Sequence, residues 1–362
     1  MNTDEMIEKR VAKVVEMYSD IETDILKILA RHFKDNQEFM NSDYYRIEKL
    51  EELGVFNKEV VKYIAKYSKK SVKEVEEAVR NVGFDTINYS KLKRLNKEGK
   101  ILLTADDIKK NKILNAITEM TLEDATDNFI NIQGMIVQGS REAYLDVVEK
   151  SYLEVAMGAK SYQEAIREAL TELSNKGIQT MQYVTTTGQI RNYTIEGTAR
   201  REILNATRGL NAKLNMELVN ELQPEYVYIS EHLDCRPTHF SWQGTLVKRD
   251  ELVEETGYGE VDGLCGINCR HYFEPFFGDP KDVKKKYSQD ECTSAYNKIQ
   301  KQRYLERGVR AWQRKQAIAQ ASEDKKEIKF ANYKLNFWRK RLNNYCEDNN
   351  LRRDYSREYL YR

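Results

Sequence analysis

Through roughly the first 220 residues, apolar side chains recur every three or four positions, the spacing of helices that bury one face. In "DEMIEKRVAKVVEMYSDIETDILKILARHF", residues 4–33, the stripe is Ile7, Val11, Val14, Ile21, Ile25 and Ile28. The segment "NKEVVKYIAKYSKKSVKEVEEAVRNVG", residues 57–83, predicts two short helices. Ser71 and Glu74 make a capping box for the second, and Gly83 sits where it would stop. Thr104 predicts the N-cap of a helix over "TADDIKKNKILNAITEM". Residues 140–177 predict a helical hairpin bent at Gly158, restarted by Ser161 with Glu164, and closed by Gly177. A long amphipathic helix then runs from about residue 198 toward Pro224.

The pattern changes after Pro224. "EYVYISEH" alternates Tyr226, Tyr228 and Ser230 against Val227 and Ile229, the period of a strand with one buried face. Glycines follow at 244, 257, 259, 263 and 266, which predicts a small loop-rich module over 225–278. A polar stretch near 279–290 separates it from a last helical section. There Leu305, Val309 and Trp312 face Ile328, Leu335, Trp338, Leu342 and Tyr345 across the polar "SEDKK", as in an antiparallel helical hairpin. The fold class expected is therefore mainly α, with a small α+β module near 225–278 and a C-terminal helical hairpin. The segments are 1–135, 136–224, 225–278 and 279–362.

Composition adds two constraints. Charged residues make up 32% of 362, with only 4 prolines, which fits long solvated helices rather than a disordered chain. The net charge of +1 conceals an asymmetry, since residues 299–362 hold 17 Lys/Arg against 8 Asp/Glu. A basic end on a mildly acidic body suits a polyanion, although solvated helix faces give the same count. The start lacks the apolar core of a signal peptide, and no apolar run is long enough to span a bilayer, so no membrane anchor is expected. Five cysteines without a regular framework fit a reducing cytoplasm as the place of synthesis.

Three of four histidines and three of five cysteines fall between His232 and His271. As a zinc site, the ligand count suffices, with Cys235 and His239 four apart and Cys265 and Cys269 likewise. The spacings match no zinc-finger signature, and Arg236 and Arg270 put positive charge beside the ligands. As a catalytic pair, Cys269 or Cys265 would attack with His239 or His271 as base, helped by Arg270 lowering the thiol pKa, but no nucleophile signature surrounds them. As structure, the cysteines pack as small hydrophobes, the arginines bridge to carbonyls and to Asp234 or Asp262, and His239 and Trp242 donate to loop carbonyls. Gly244, Gly263 and Gly266 would then let the two strings meet.

In order, His232, "RPTH" at 236–239, "WQG" at 242–244, "GYG" at 257–259 and "GLCGINCRHYFEPF" at 263–276 resemble the phage minor capsid protein 2 family of tailed phages and prophages. They are also distantly similar to the head-morphogenesis domain named after the F protein of phage Mu. The helix before the strand and the closing "YLERGVRAWQRKQAIAQ" extend the resemblance. Cys235 stands where the family has a small residue. That sets it aside as a shared ligand and leaves His232, His239, Cys269 and His271 as the set for any metal, zinc being the one considered. The resemblance implies no catalytic residue and no resident cofactor. It implies a structural virion component in the phage head near the portal vertex, with the portal or major capsid protein as partner. It further implies a role in head morphogenesis and in genome packaging or delivery. The basic hairpin would touch DNA through backbone charge alone, with Trp312, Trp338, Tyr345 and Tyr355 serving as hairpin core. A Cys/His enzyme or toxin and a zinc-stabilised nucleic-acid-binding protein are the other classes these residues allow.

Overall fold

The amphipathic stripes fold as their spacing requires. A computed structural model describes residues 3–34, 42–85, 87, 89–102, 104–184 and 188–358. Among these are ten α-helices and five short strands. The helices are α1 (Thr3–His32), α2 (Ser42–Asp85), α3 (Tyr89–Lys97), α4 (Ala105–Lys110), α5 (Lys112–Ala156), α6 (Tyr162–Lys176), α7 (Ile195–Leu222), α8 (Leu252–Thr256), α9 (Gln289–Ala321) and α10 (Lys325–Asp348). The strands are β1 (Gln179–Val184), β2 (Ile190–Thr194), β3 (Tyr226–Ile229), β4 (Leu246–Lys248) and β5 (Phe273–Phe276). No helix among the described residues is long and apolar enough to cross a membrane. The chain divides into two compact units, each assembled from three separate stretches.

The first unit comprises Met1–Lys13, Lys73–Asn128 and Arg200–Lys301. Its centre is an antiparallel sheet in the order β4-β3-β5. The alternation in β3 holds, with Val227 and Ile229 fully buried between half-buried tyrosines. These two join Ala212 and Val219 of α7, Trp242, Leu264, Cys269 and Phe273 in one core. Lys91 of α3 ties down β5, its ammonium donating to Glu274 at 2.7 Å and to the Pro275 carbonyl at 3.2 Å.

The second unit comprises Val14–Val72, Phe129–Ala199 and Gln302–Arg362. Its helices pack around tilted aromatic pairs, Tyr18 on Phe129 and Phe33 on Tyr144. The bend at Gly158, the capping box of Ser161 with Glu164, and the stop at Gly177 all lie where the sequence predicts them. The C-terminal hairpin is antiparallel. Gln302 bonds to the carbonyl of Arg352, Gly308 lies against Trp338, and Gln316 bonds to Asn332. Its seam is Leu305, Val309, Leu335, Leu342 and Cys346, with Trp312, Trp338 and Tyr345 packed beside them.

Four expectations are corrected. Helix α2 runs unbroken for 44 residues instead of dividing at Ser71. Ser71 is buried and its hydroxyl donates to the Ser68 carbonyl at 2.8 Å, the back-bonding a mid-helix serine uses, while Glu74 pairs with Lys13 at 2.6 Å. Thr104 does cap a helix with Asp107, but that helix ends after six residues. Asn111 turns extended there, and its side-chain oxygen accepts from the Ile113 and Leu114 amides at 2.8 and 3.1 Å to start α5. The all-helical reading of the first 220 residues missed the antiparallel pair β1–β2. Finally Tyr355 is 52% exposed under Arg353, not in the hairpin core.

Candidate functional site

Strand β3 hands the chain directly into the Cys/His cluster. Beyond Ile229, whose carbonyl accepts from Gly244, the Ser230 amide donates to the Tyr272 carbonyl at 2.9 Å. The Tyr272 amide returns a bond to the Ser230 hydroxyl at 2.9 Å. The loop at 236–244 and the run at 263–276 are thereby held on either side of one strand end. Cross-links close them: Arg236 donates to the Ile267 carbonyl, and Arg270 pairs with Asp234. Gly263 and Gly266 allow a close backbone approach, for a Cβ would sit 1.9 Å from the Gly257 carbonyl oxygen on the first and 2.4 Å from the Glu260 carbonyl oxygen on the second.

His239 ends a short 3-10 turn begun by Pro237, and its Nε2–H donates to the Asp262 carbonyl at 2.8 Å. A carbonyl only accepts, so the proton is on Nε2 and Nδ1 keeps a bare lone pair. His271 repeats the arrangement. Its Nε2 lies 3.0 Å from Gln243 Oε1, an atom identified as oxygen because the His232 backbone amide also donates to it at 3.3 Å. The two Nδ1 atoms face each other at 3.4 Å, and Cys269 Sγ is 3.9 Å from the first and 3.5 Å from the second. All three side chains are buried, at 2%, 2% and 5% exposure for His239, Cys269 and His271. Burial, more than any neighbour, pulls both imidazoles below their usual range, His271 strongly, so they stand neutral at pH 7.

His232 lies beside this triangle, its ring 4.2 Å from that of His271. Its Nδ1 donates to Asp234 at 3.2 Å, and its Nε2 is buried with no partner among the described residues. Burial would raise the Asp234 carboxyl, but the His232 hydrogen bond and the Arg270 charge outweigh it and hold it well below the usual range. Trp242 stacks on His239 at 4.6 Å and sets an edge against His271 at 4.8 Å, walling the pair.

The structure therefore brings His239, Cys269 and His271 together as a group with metal-ligating atoms within 4.8 Å of one another. Cys235 and Cys265 fall outside it. Burial pushes Cys235 up to about 12, with the Cys292 thiol beside it pushing the same way. Cys265 donates toward the His271 carbonyl at 3.7 Å, and its thiol is raised well above the ordinary value by burial. Burial raises Cys269 as well. A nucleophilic cysteine needs the opposite shift. Gln243 is the organising residue that the sequence reading passed over. Fully buried, it accepts from His232 and His271 and donates to Cys292 at 3.3 Å. Its only advance signal was its place inside "WQG".

The exit loops of the small sheet are thus clasped to each other by polar links, Arg236 to Ile267, His239 to Asp262, Arg270 to Asp234 and His271 to Gln243. The family model for phage minor capsid protein 2 matches residues 3–347, so the chain belongs to that family. It is 23% identical over 334 residues to a protein named "Structural protein" from Lactococcus phage LL-H, spanning 87% of this chain and 88% of that one. A second "Structural protein", from Lactococcus phage mv4, is 33% identical over 110 residues, 30% of this chain and 89% of the relative. No solved structure matches the chain significantly.

Proposed function

We propose that this protein is a minor head component of the virion, seated at or near the portal vertex and acting in head morphogenesis and in genome packaging or delivery. The observation that carries the reading is the family match along nearly the whole chain, from residue 3 to residue 347. The clasped module supports it. Its buried hydrogen bonds fix the loops at 236–244 and 263–276 to one strand end, which suits a rigid attachment element better than a moving catalytic loop. Portal or major capsid protein is the partner that this placement calls for. The test is mass spectrometry of purified particles, followed by asymmetric reconstruction of the portal vertex with and without the gene. A few copies per particle and density lost at that vertex are expected. Absence from purified virions overturns the proposal.

The basic hairpin α9–α10 is the surface we assign to DNA. Lys325, Lys326, Lys329, Lys340 and Arg341 are exposed along α10, while Trp312 and Trp338 are packed against the hairpin seam. Such a face neutralises phosphates without reading bases.

A further inference from the structure

We infer that His239, Cys269 and His271 bind a zinc(II) ion, with His232 closing the coordination shell. This rests on the geometry of the cluster and holds whatever the protein's place in the virion.

The triangle has the dimensions of one face of a zinc tetrahedron. Bonds of about 2.0–2.1 Å to nitrogen and 2.3 Å to sulfur, at tetrahedral angles, put ligand atoms about 3.3 Å apart for two nitrogens and about 3.6 Å for nitrogen and sulfur. The observed edges are 3.4 Å between the Nδ1 atoms, and 3.5 and 3.9 Å to Cys269 Sγ. Proton placement points the same way. Both Nδ1 atoms carry lone pairs, because each Nε2–H is committed to a carbonyl-type oxygen. Two acceptors 3.4 Å apart cannot bond to each other, and the single thiol proton of Cys269 serves only one of them. A divalent cation satisfies all three atoms at once: zinc binds the Cys269 sulfur and the thiol proton leaves to solvent.

The outer partners match as well. A histidine that ligates metal ordinarily donates its other N–H to a carbonyl or carboxylate, which fixes ring and tautomer. His239 does so to Asp262, His271 to Gln243 and His232 to Asp234. That pattern on His232, together with its buried Nε2, which has no partner among the described residues, assigns the fourth position to it. Its Nε2 stands outside the triangle, so closing the shell requires the ring to turn. The adjacent arginines are directed elsewhere, Arg236 to the Ile267 carbonyl and Arg270 to Asp234. One thiolate with imidazoles in a four-coordinate arrangement suits zinc, and four protein ligands make the site structural.

The test uses the full-length chain, produced in zinc-supplemented medium without a polyhistidine tag or chelator. Elemental analysis should find about one zinc per chain, and less than about a tenth of an equivalent after incubation with zinc overturns the inference. Zinc-edge X-ray absorption on the unaltered protein should show one sulfur near about 2.3 Å among nitrogens near about 2.0 Å, and a shell without sulfur overturns it. That measurement needs no variant to fold. Cys269→Ser should remove the sulfur from that shell and abolish the thiolate charge-transfer band of the cobalt-substituted protein. His232→Ala should weaken zinc retention against a competing chelator by about 10-fold or more. Full occupancy and an unchanged sulfur signal in Cys269→Ser would place the metal elsewhere and end the proposal.

Discussion

His239 and His271 approach Nδ1 to Nδ1 at 3.4 Å, each committed through its opposite nitrogen to an oxygen on a different segment. This pairing makes Gln243 the residue on which the clasp turns, because one side-chain oxygen serves both the His232 amide and the His271 ring. Gln243→Leu keeps the volume and removes every partner. Each buried donor left unsatisfied costs roughly 1–3 kcal/mol, so unfolding of this unit in urea should show a loss of at least about 2 kcal/mol. A variant as stable as the parent would mean those donors find other acceptors.

The hairpin depends on an absent methyl group. A Cβ on Gly308 would lie 2.2 Å from two carbons of the Trp338 indole. Gly308→Ala forces the ring or the helix aside, an overpacking that typically costs about 1–3 kcal/mol. Thermal unfolding should register it. In the double variant Gly308→Ala with Trp338→Leu the two costs should fall short of additive, since the smaller side chain relieves the clash.

Glu22 gives the second unit a dependence on pH. It is fully buried, and its carboxylate accepts from the Ile178 amide at 2.9 Å. Burial raises it above the ordinary 4.5, and the Arg314 charge offsets that only in part. The folded state therefore holds this proton at pH values where the unfolded chain has released it. The resulting stability is complete below about 4.5 and declines as pH rises through the raised folded value. Glu22→Gln should flatten that decline, measured by urea unfolding across the acid-to-neutral range. Parallel curves for parent and variant would remove Glu22 as its source.

DNA binding by α9–α10 should follow salt and ignore sequence. Neutralising Lys329, Lys340 and Arg341 together should lower the slope of log K against log salt by about 2.7, at about 0.9 per phosphate contact on duplex DNA. Fluorescence anisotropy at several salt concentrations reads this directly. An unaltered slope assigns the contact to other residues.

Much of the fold was legible because local chemistry and tertiary packing agreed. Val227 and Ile229 alternate with tyrosines and are buried together; Ser161 and Glu164 cap a helix on whichever surface it lies. Leu305, Val309, Leu335 and Leu342 of the hairpin seam follow from spacing, whereas Ile328, expected with them, is half-buried outside that cluster and Cys346 takes a place the spacing did not assign. Where the reading failed, one residue had two local uses. Ser71 carries the letters of a cap but bonds back along a continuing helix, and Asn111 ends one helix while starting another. The β1–β2 pair was hidden by its helical surroundings, although Thr, Tyr and Val crowd the segment. At the site, the family resemblance left His232, His239, Cys269 and His271 as one set. It could not reveal that three ligand atoms converge while the fourth ring stacks alongside, because 30 residues separate His239 from Cys269 and it takes the β3–β5 pairing and the links across the two loops to join them. Gln243 was invisible for a related reason: an amide becomes an organiser only when three partners arrive from elsewhere.

The threefold passage of the chain through each compact unit bears on how the protein is made. One unit draws its last stretch from residues 200–301 and the other from 302–362, while both begin within the N-terminal helix. Neither can finish folding as its first segments leave the ribosome, at about 5–20 residues per second. The early helices must wait, with apolar stripes uncovered, until nearly the entire polypeptide has been synthesised. Truncation near the C-terminus should for that reason harm solubility far more than the lost mass suggests.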